Sequence, residues 1–267
     1  MKKNKIKFYF NIYRKILAQD IKSKMSYRAD FIISLIGMIF TNLSGFIVFW
    51  IMFQNFDNIN GWTYYEILFL YGFSLMALTP MQCFFDNNWN LRTYVYSGDF
   101  VKYCFRPINL YFYYISEVFD PKGLGEFAMG LGLLIYSWCH IGIPVSFLNV
   151  LLLIVIFISA SLIMISIMNL AAATCFFVLN SGYIMVTMFK FTEYTKYPVT
   201  IFNGVFKFIF TFIIPIGFVA YYPSLFFLRT DQIHILSFFT PVVGIVFFFL
   251  SYKVWMYGAT RYTGTGS

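Results

Sequence analysis

Apolar runs of bilayer length alternate along this chain with short polar breaks. Residues 31–53 carry no charge and are long enough to cross a bilayer at 1.5 Å per residue. A polar break from Gln54 to Gly61 and an aromatic belt of Trp62, Tyr64 and Tyr65 lead into a second span, about 63–85. Residues 87–122 return to mixed polarity. Further spans are expected over 124–142, 146–171, 173–191 and 233–256, and an apolar run at 203–228 is broken by Pro215 and Pro223. Ala128 and Gly132 form a small-xxx-small pair suited to close helix approach, and Pro144 marks a tight turn. Ahead of the spans, Ile6, Tyr9, Tyr13, Leu17 and Ile21 recur at spacings of three and four among lysines. That pattern predicts an amphipathic helix over 5–28, lying in the membrane interface.

The expected fold class is therefore an all-α integral membrane protein. Residues 1–28 form an interfacial helix and residues 29–267 a single transmembrane domain. Seven apolar stretches leave the topology one crossing too many. Lys253 and Arg261 favour a C-terminus on the same side as the N-terminus, which requires an even number of crossings. The proline-broken segment 198–228 is the natural re-entrant element, since irregular backbone at membrane depth occurs only where protein or a cavity shelters it. Six crossings are expected, at the cost of placing Lys190, Lys196 and Lys207 outside.

Composition fits this picture: 60% of residues are hydrophobic and 11% charged, where a soluble domain carries about 25% charged. Between Glu126 and Lys190 there is no Asp, Glu, Lys or Arg. The net charge of +8 is not a nucleic-acid signal. Nine of the nineteen basic residues fall within the first 28 positions, beside the first span, and basic flanks of this kind stay cytoplasmic. Cys83, Cys104, Cys139 and Cys175 are scattered, and suggest neither a disulfide framework nor a zinc site.

Little catalytic chemistry is visible. No G-x-x-x-x-G-K-[ST] loop occurs, His140 and His234 stand alone, and Gly123, Gly125, Gly130 and Gly132 lie in an apolar helix. The ionisable residues nearest the spans, Asp30, Glu66, Asp86 and Glu126, all fall near span ends, where they serve as boundary anchors. An ion-coupled transporter generally needs an ionisable group near the midplane. None is evident, which favours energy supplied by another subunit over a self-contained channel or ion-coupled transporter. A membrane enzyme acting on lipids would need a His, Asp or Glu cluster that is equally absent.

Two stretches carry a family resemblance. Tyr96-Ser97-Gly98-Asp99-Phe100-Val101-Lys102-Tyr103-Cys104-Phe105-Arg106-Pro107 resembles the coupling loop of short six-span type 2 permeases of ATP-binding-cassette (ABC) exporters. Cys104 stands there in place of an aliphatic residue. Tyr197-Pro198 and the run from Thr211 through Pro215 to Pro223 are similar to that family's proline-punctuated stretch before the last span, and the tail Arg261 to Ser267 resembles its short polar end. The resemblance implies a bacterial-type, multi-pass exporter subunit of the cell membrane with cytoplasmic termini. It would itself be non-catalytic and hold no cofactor, with ATP and magnesium bound by a separate cytoplasmic ATPase. It would pair with an identical or related permease, contact membrane lipid and bind no nucleic acid. Residues 87–122 would be the coupling loop. Gly98, Asp99, Phe100, Lys102, Tyr103, Phe105, Arg106 and Pro107 would meet the ATPase, with the aromatics as anchors. Tyr197, Pro198, Pro215 and Pro223 would form a gate, and the cargo would be hydrophobic or amphipathic.

Overall fold

The computed structural model describes residues 2–26, 28–178 and 181–263. The tail residues 264–267 singled out above lie outside the described residues. Five helices among them are long and apolar enough to cross a membrane: α2 (Arg28–Asn55), α3 (Tyr64–Phe84), α7 (Lys122–Ile141), α8 (Phe147–Ala173) and α13 (Thr240–Arg261). The remainder are short or peripheral: α1 (Lys2–Ser26), α4 (Leu91–Ser97), α5 (Val101–Cys104), α6 (Leu110–Ser116), α9 (Gly182–Thr192), α10 (Gly204–Phe208), α11 (Tyr221–Leu228) and α12 (Ile235–Phe238). The all-α membrane architecture expected from the sequence is what the chain forms. The end of the bundle that bears α1 is termed proximal below, and the other end distal.

Local chemistry sets the helix boundaries. The Glu66 carboxylate accepts from the Thr63 backbone N–H (2.8 Å) and hydroxyl (3.0 Å), closing the first turn of α3. Gly142 ends α7 in the left-handed region (φ 77°), and Ser146 caps α8 by accepting from the Asn149 N–H at 3.1 Å.

Small residues set the packing, though not the pair expected. Gly132 faces open space and Ala128 is exposed. The α3–α7 crossing is made by Gly72 and Gly130 instead. A Cβ on Gly72 would meet the Gly130 carbonyl oxygen at 2.7 Å, and one on Gly130 would meet the Gly72 oxygen at 2.6 Å. Backbones in such contact gain dispersion energy that larger residues would forfeit. Gly244 makes the equivalent approach of α13 to Ser159 of α8.

The stretch 173–191 does not form the straight span expected. Helix α8 closes in a 3-10 turn at Thr174–Phe176, and the following helix α9 has only 11 residues. At 1.5 Å per residue it covers about 16 Å of a core roughly 30 Å thick. The chain nonetheless passes from one end of the bundle to the other. Gly182 packs on Arg92 at the proximal end, and Thr200 is hydrogen-bonded to the distal loop at Asn60 and Trp62. The sixth crossing is thus a short helix, a 3-10 turn at Glu193–Lys196 and an extended exit.

The proline-broken segment that follows re-enters. It leaves the distal loop at Thr200 and comes back to it at Arg229. Its two arms, Gly204–Ile213 and Ile216–Leu228, are bent by 74° from a straight line at the break between them. At the bend, Ile213 and Ile214 line one small cavity with Ile167, Leu170 and Thr174 near the far end of α8. Helix α13 then runs back to the proximal end parallel to α8: Gly244 lies beside Ser159 and Gly258 beside Phe176.

Replacing Gly130 by Val is expected to abolish a folded, monodisperse chain in mild detergent. Gly132→Val is expected to elute unchanged by size exclusion, because its side chain meets nothing.

Candidate functional site

The proximal loop between α3 and α7 is folded, not a loose connector. Gly98 closes α4 with φ 84°, a conformation that costs a side-chain-bearing residue free energy. The chain then turns so that the Phe100 N–H returns to the Tyr94 carbonyl at 3.0 Å. The turn aims Phe100 inward, where its ring meets Tyr103, Tyr114, Phe176, Trp255 and Tyr262 with centroids 5.2–6.0 Å away. Such ring pairs add roughly 0.5–1.5 kcal/mol each beyond their burial. Phe100 and Tyr103, expected to offer apolar anchors to a partner, are both 0% exposed. Tyr103 also donates its hydroxyl to Glu117. These two rings support the loop from within; Asp99, Lys102, Arg106, Pro107 and Phe105 form its outward face. Phe105 is 82% exposed. Lys102 stands over the Tyr94 ring (4.4 Å) and Arg106 over Tyr113 (5.6 Å), which holds both charges at the surface.

Buried amides tie this loop to the spans. Asn88 donates to the Asn169 carbonyl oxygen on α8 at 2.7 Å, and Asn169 donates in turn to the Tyr111 hydroxyl. Asn87 and Tyr114 exchange side-chain-to-backbone bonds at 2.6 Å, and Asn109 reaches Tyr252 of α13 at 3.0 Å. In a low-dielectric interior such bonds fix geometry strongly. Helix α1 docks on the same loop through one residue of the expected stripe, Tyr9, and through Asp20 and Lys24, while Ile6 stays exposed. Tyr9 packs edge-on against Phe112 (4.8 Å), Asp20 accepts from the Phe119 N–H (3.0 Å), and Lys24 donates to the Phe119 carbonyl. Beside that joint, burial and the neighbouring Asp120 push the Asp86 carboxyl up to about 6, against the pull of Lys24 and Lys122.

At the distal end one loop holds both ends of the re-entrant hairpin. Trp62 Nε1 donates to the Thr200 hydroxyl at 3.0 Å, and Asn60 donates to the Thr200 carbonyl at 2.9 Å. Arg229 pairs with Glu66 (3.0 Å), donates to the Gly61 carbonyl (2.5 Å) and lies over the Trp62 ring at 3.9 Å. Among the residues expected to form a gate, Pro198 opens the exit of the sixth crossing, Pro215 sits at the hairpin turn and Pro223 lies in the first turn of α11, all three buried. Tyr197 packs on Phe49 of α2 at 5.4 Å. The four are spread along the hairpin and its approach, not gathered at one point.

A third feature was not expected. The polar group Lys190, Glu193 and Lys196 is no outer loop: it lines a cavity with Tyr71 and Ser74 of α3 and Thr41 and Ser44 of α2, midway along those helices. Lys190 and Glu193 pair at 2.8 Å, with side chains 65% and 48% exposed on the outside of the chain. Glu126, expected to anchor a span end, is 9% exposed and lines the same cavity. Ionisable groups therefore do lie at mid-depth, and their supposed absence no longer argues against ion coupling. The one sequence signal was their spacing of three, which a 3-10 turn stacks on one side.

A multi-pass helical bundle with a folded end loop, a re-entrant hairpin and charged groups at mid-depth defines a polytopic integral membrane protein. The sequence model of the ABC-2 family transporter proteins matches residues 36–266, from within α2 to the tail. The chain belongs to that family and is the permease component of an ABC transporter, a membrane subunit that works with an ABC ATPase. No curated protein and no solved structure matches it.

Two measurements probe these joints. An acid whose value is raised on folding stabilises the fold at low pH, and that stability is lost as pH climbs through the folded value. The wild type is therefore expected to melt at progressively lower temperature between about pH 4 and pH 7, relative to Asp86→Asn. An unchanged difference between the two across that range rejects the assignment. At the distal end, a double-mutant cycle of Glu66→Gln and Arg229→Met is expected to give a coupling of about 1–3 kcal/mol.

Proposed function

We propose that this chain is the transmembrane half of an exporter powered by a separate cytoplasmic ATPase, which binds and hydrolyses ATP with magnesium. The outward face of the proximal loop carries this reading: an exposed aromatic, Phe105, on the same loop as exposed Asp99, Lys102 and Arg106, above a buried aromatic base. Exposed aromatics with arginine are the residues that dominate protein interfaces. The amide and aromatic links from that base to α8 and α13 supply a route by which movement of a docked ATPase reaches the spans. The α1 end is then cytoplasmic, with both termini on that side of the cell membrane, consistent with the basic residues there. The distal hairpin, with Tyr197, Pro198, Pro215 and Pro223, acts as gate or lid.

A second permease, identical or related, covers the face that bears Lys190, Glu193, Thr41 and Ser44. An ion pair exposed at mid-depth is unfavourable against hydrocarbon, and a partner or a water-lined path between two permeases would shelter it. A second reading, a self-contained ion-coupled transporter, is favoured by the same mid-depth charges.

Gentle purification of the tagged chain from its native membrane is expected to recover a Walker-type ATPase in stoichiometric amount. Phe105→Ala with Arg106→Ala should abolish recovery while leaving the melting temperature unchanged; Phe100→Ala should instead lower it by several degrees. If no ATPase is recovered even after mild cross-linking, and a pH or sodium gradient drives flux in liposomes holding this chain alone, the ion-coupled reading replaces it.

A further inference from the structure

The cavity behind the polar face has a volume of about 450 Å3. Its proximal part is formed where three helices each contribute one polar side chain: Asn42 of α2, Gln82 of α3 and Glu126 of α7. The Gln82 and Asn42 side chains lie within interaction range of the Glu126 carboxyl, but Glu126 Oε2, Gln82 Oε1 and Asn42 Nδ2, all buried atoms, close no well-formed hydrogen bond. Burying an unpartnered polar atom is costly; Asn42 Nδ2 is a donor turned toward the Glu126 carboxyl, while the two open acceptors, on separate helices lining one cavity, call for a donor that completes them.

The chemistry of that group follows from the atoms left open. Two of the three, Glu126 Oε2 and Gln82 Oε1, are acceptors, and one belongs to a carboxyl. The complement is a cation that carries N–H donors. A divalent metal is a poor fit, because it takes six or more oxygen ligands and one carboxyl with one amide oxygen falls short. A primary ammonium offers three donors on a compact charge. The mouth adds a second requirement. It opens at mid-depth beside α2, whose Ile36, Phe40, Leu43 and Ile47 are exposed. A ligand entering there presents its charged head to the cavity and leaves an apolar chain along α2.

We propose that this cavity binds the head of a cationic amphiphile bearing a primary ammonium, held by Glu126 and Gln82. That such a ligand is cargo rests on the permease reading; the binding site itself does not. The purified chain, without ATPase and in a neutral maltoside detergent, is titrated with dodecylamine and followed by its intrinsic tryptophan fluorescence. Glu126→Gln is expected to weaken dodecylamine binding by at least about tenfold, and Gln82→Leu to weaken it less. Dodecyltrimethylammonium, which has the charge and chain but no N–H donor, is expected to bind the wild type several-fold more weakly. Glu126→Gln conserves shape and removes a buried carboxyl, so its melting temperature should match or exceed the wild type. Dodecylamine affinity within twofold of wild type in folded Glu126→Gln overturns the proposal, as does equal binding of the trimethylammonium analogue. Should Glu126→Gln fail to fold, the analogue comparison on the wild type decides alone. Loss of the site with the ATPase still co-purifying refutes the ligand and leaves the permease reading standing; the reverse result refutes the partner and leaves the site.

Discussion

Glu66 joins three parts of the chain that are far apart in sequence. Its carboxylate closes the first turn of α3 through Thr63 and pairs with Arg229 at the end of the re-entrant hairpin. Arg229 in turn covers Trp62, whose indole N–H fixes Thr200 at the hairpin's beginning. A backbone that enters a bilayer and turns back has no water to satisfy its broken helical bonds. It holds only if its ends are pinned and its turn is sheltered by protein. The distal loop does the pinning, and α8, α9 and α13 shelter the turn. Without that joint the residues between Ala173 and Thr240 would have no defined path from α8 to α13.

The proximal end is built on the same economy of anchors but with different chemistry. There the cohesion comes from rings packed edge to face and from buried amides. Phe100 and Trp255 share a cluster with Tyr103, Tyr111 and Tyr114, while Asn88 and Asn169 link the loop to α8. One end is thus latched by a charge pair, and the other is cemented by aromatics. A stiff loop at one end, a hairpin at the other and a polar cavity between them are the arrangement in which force applied at the loop can alter access to the interior.

Much of this was legible in the residues. The five long spans followed from apolar runs of bilayer length, and the prolines at 215 and 223 identified the segment that re-enters. What local pattern could not supply was anything set by contact between distant parts. Gly132 looked like a packing glycine and Gly130 equally so; only the facing Gly72 decides between them. Phe100 and Phe105 are indistinguishable as residues in a loop, yet one is buried and the other exposed, because the left-handed turn at Gly98 aims them apart. Lys190, Glu193 and Lys196 were mistaken for a boundary because hydropathy treats any charged group as an end. The broken crossing that carries them through the bundle is short, irregular and held by its neighbours.

The burial of Trp255 against the proximal loop also bears on how the protein is made. The loop at 87–121 leaves the ribosome well before α13, yet its base is completed by rings from that last helix, Trp255 and Tyr252. A chain still being synthesised, or truncated before this helix, presents the loop without its floor. The outward face of the loop therefore reaches its final form only when α13 is in place.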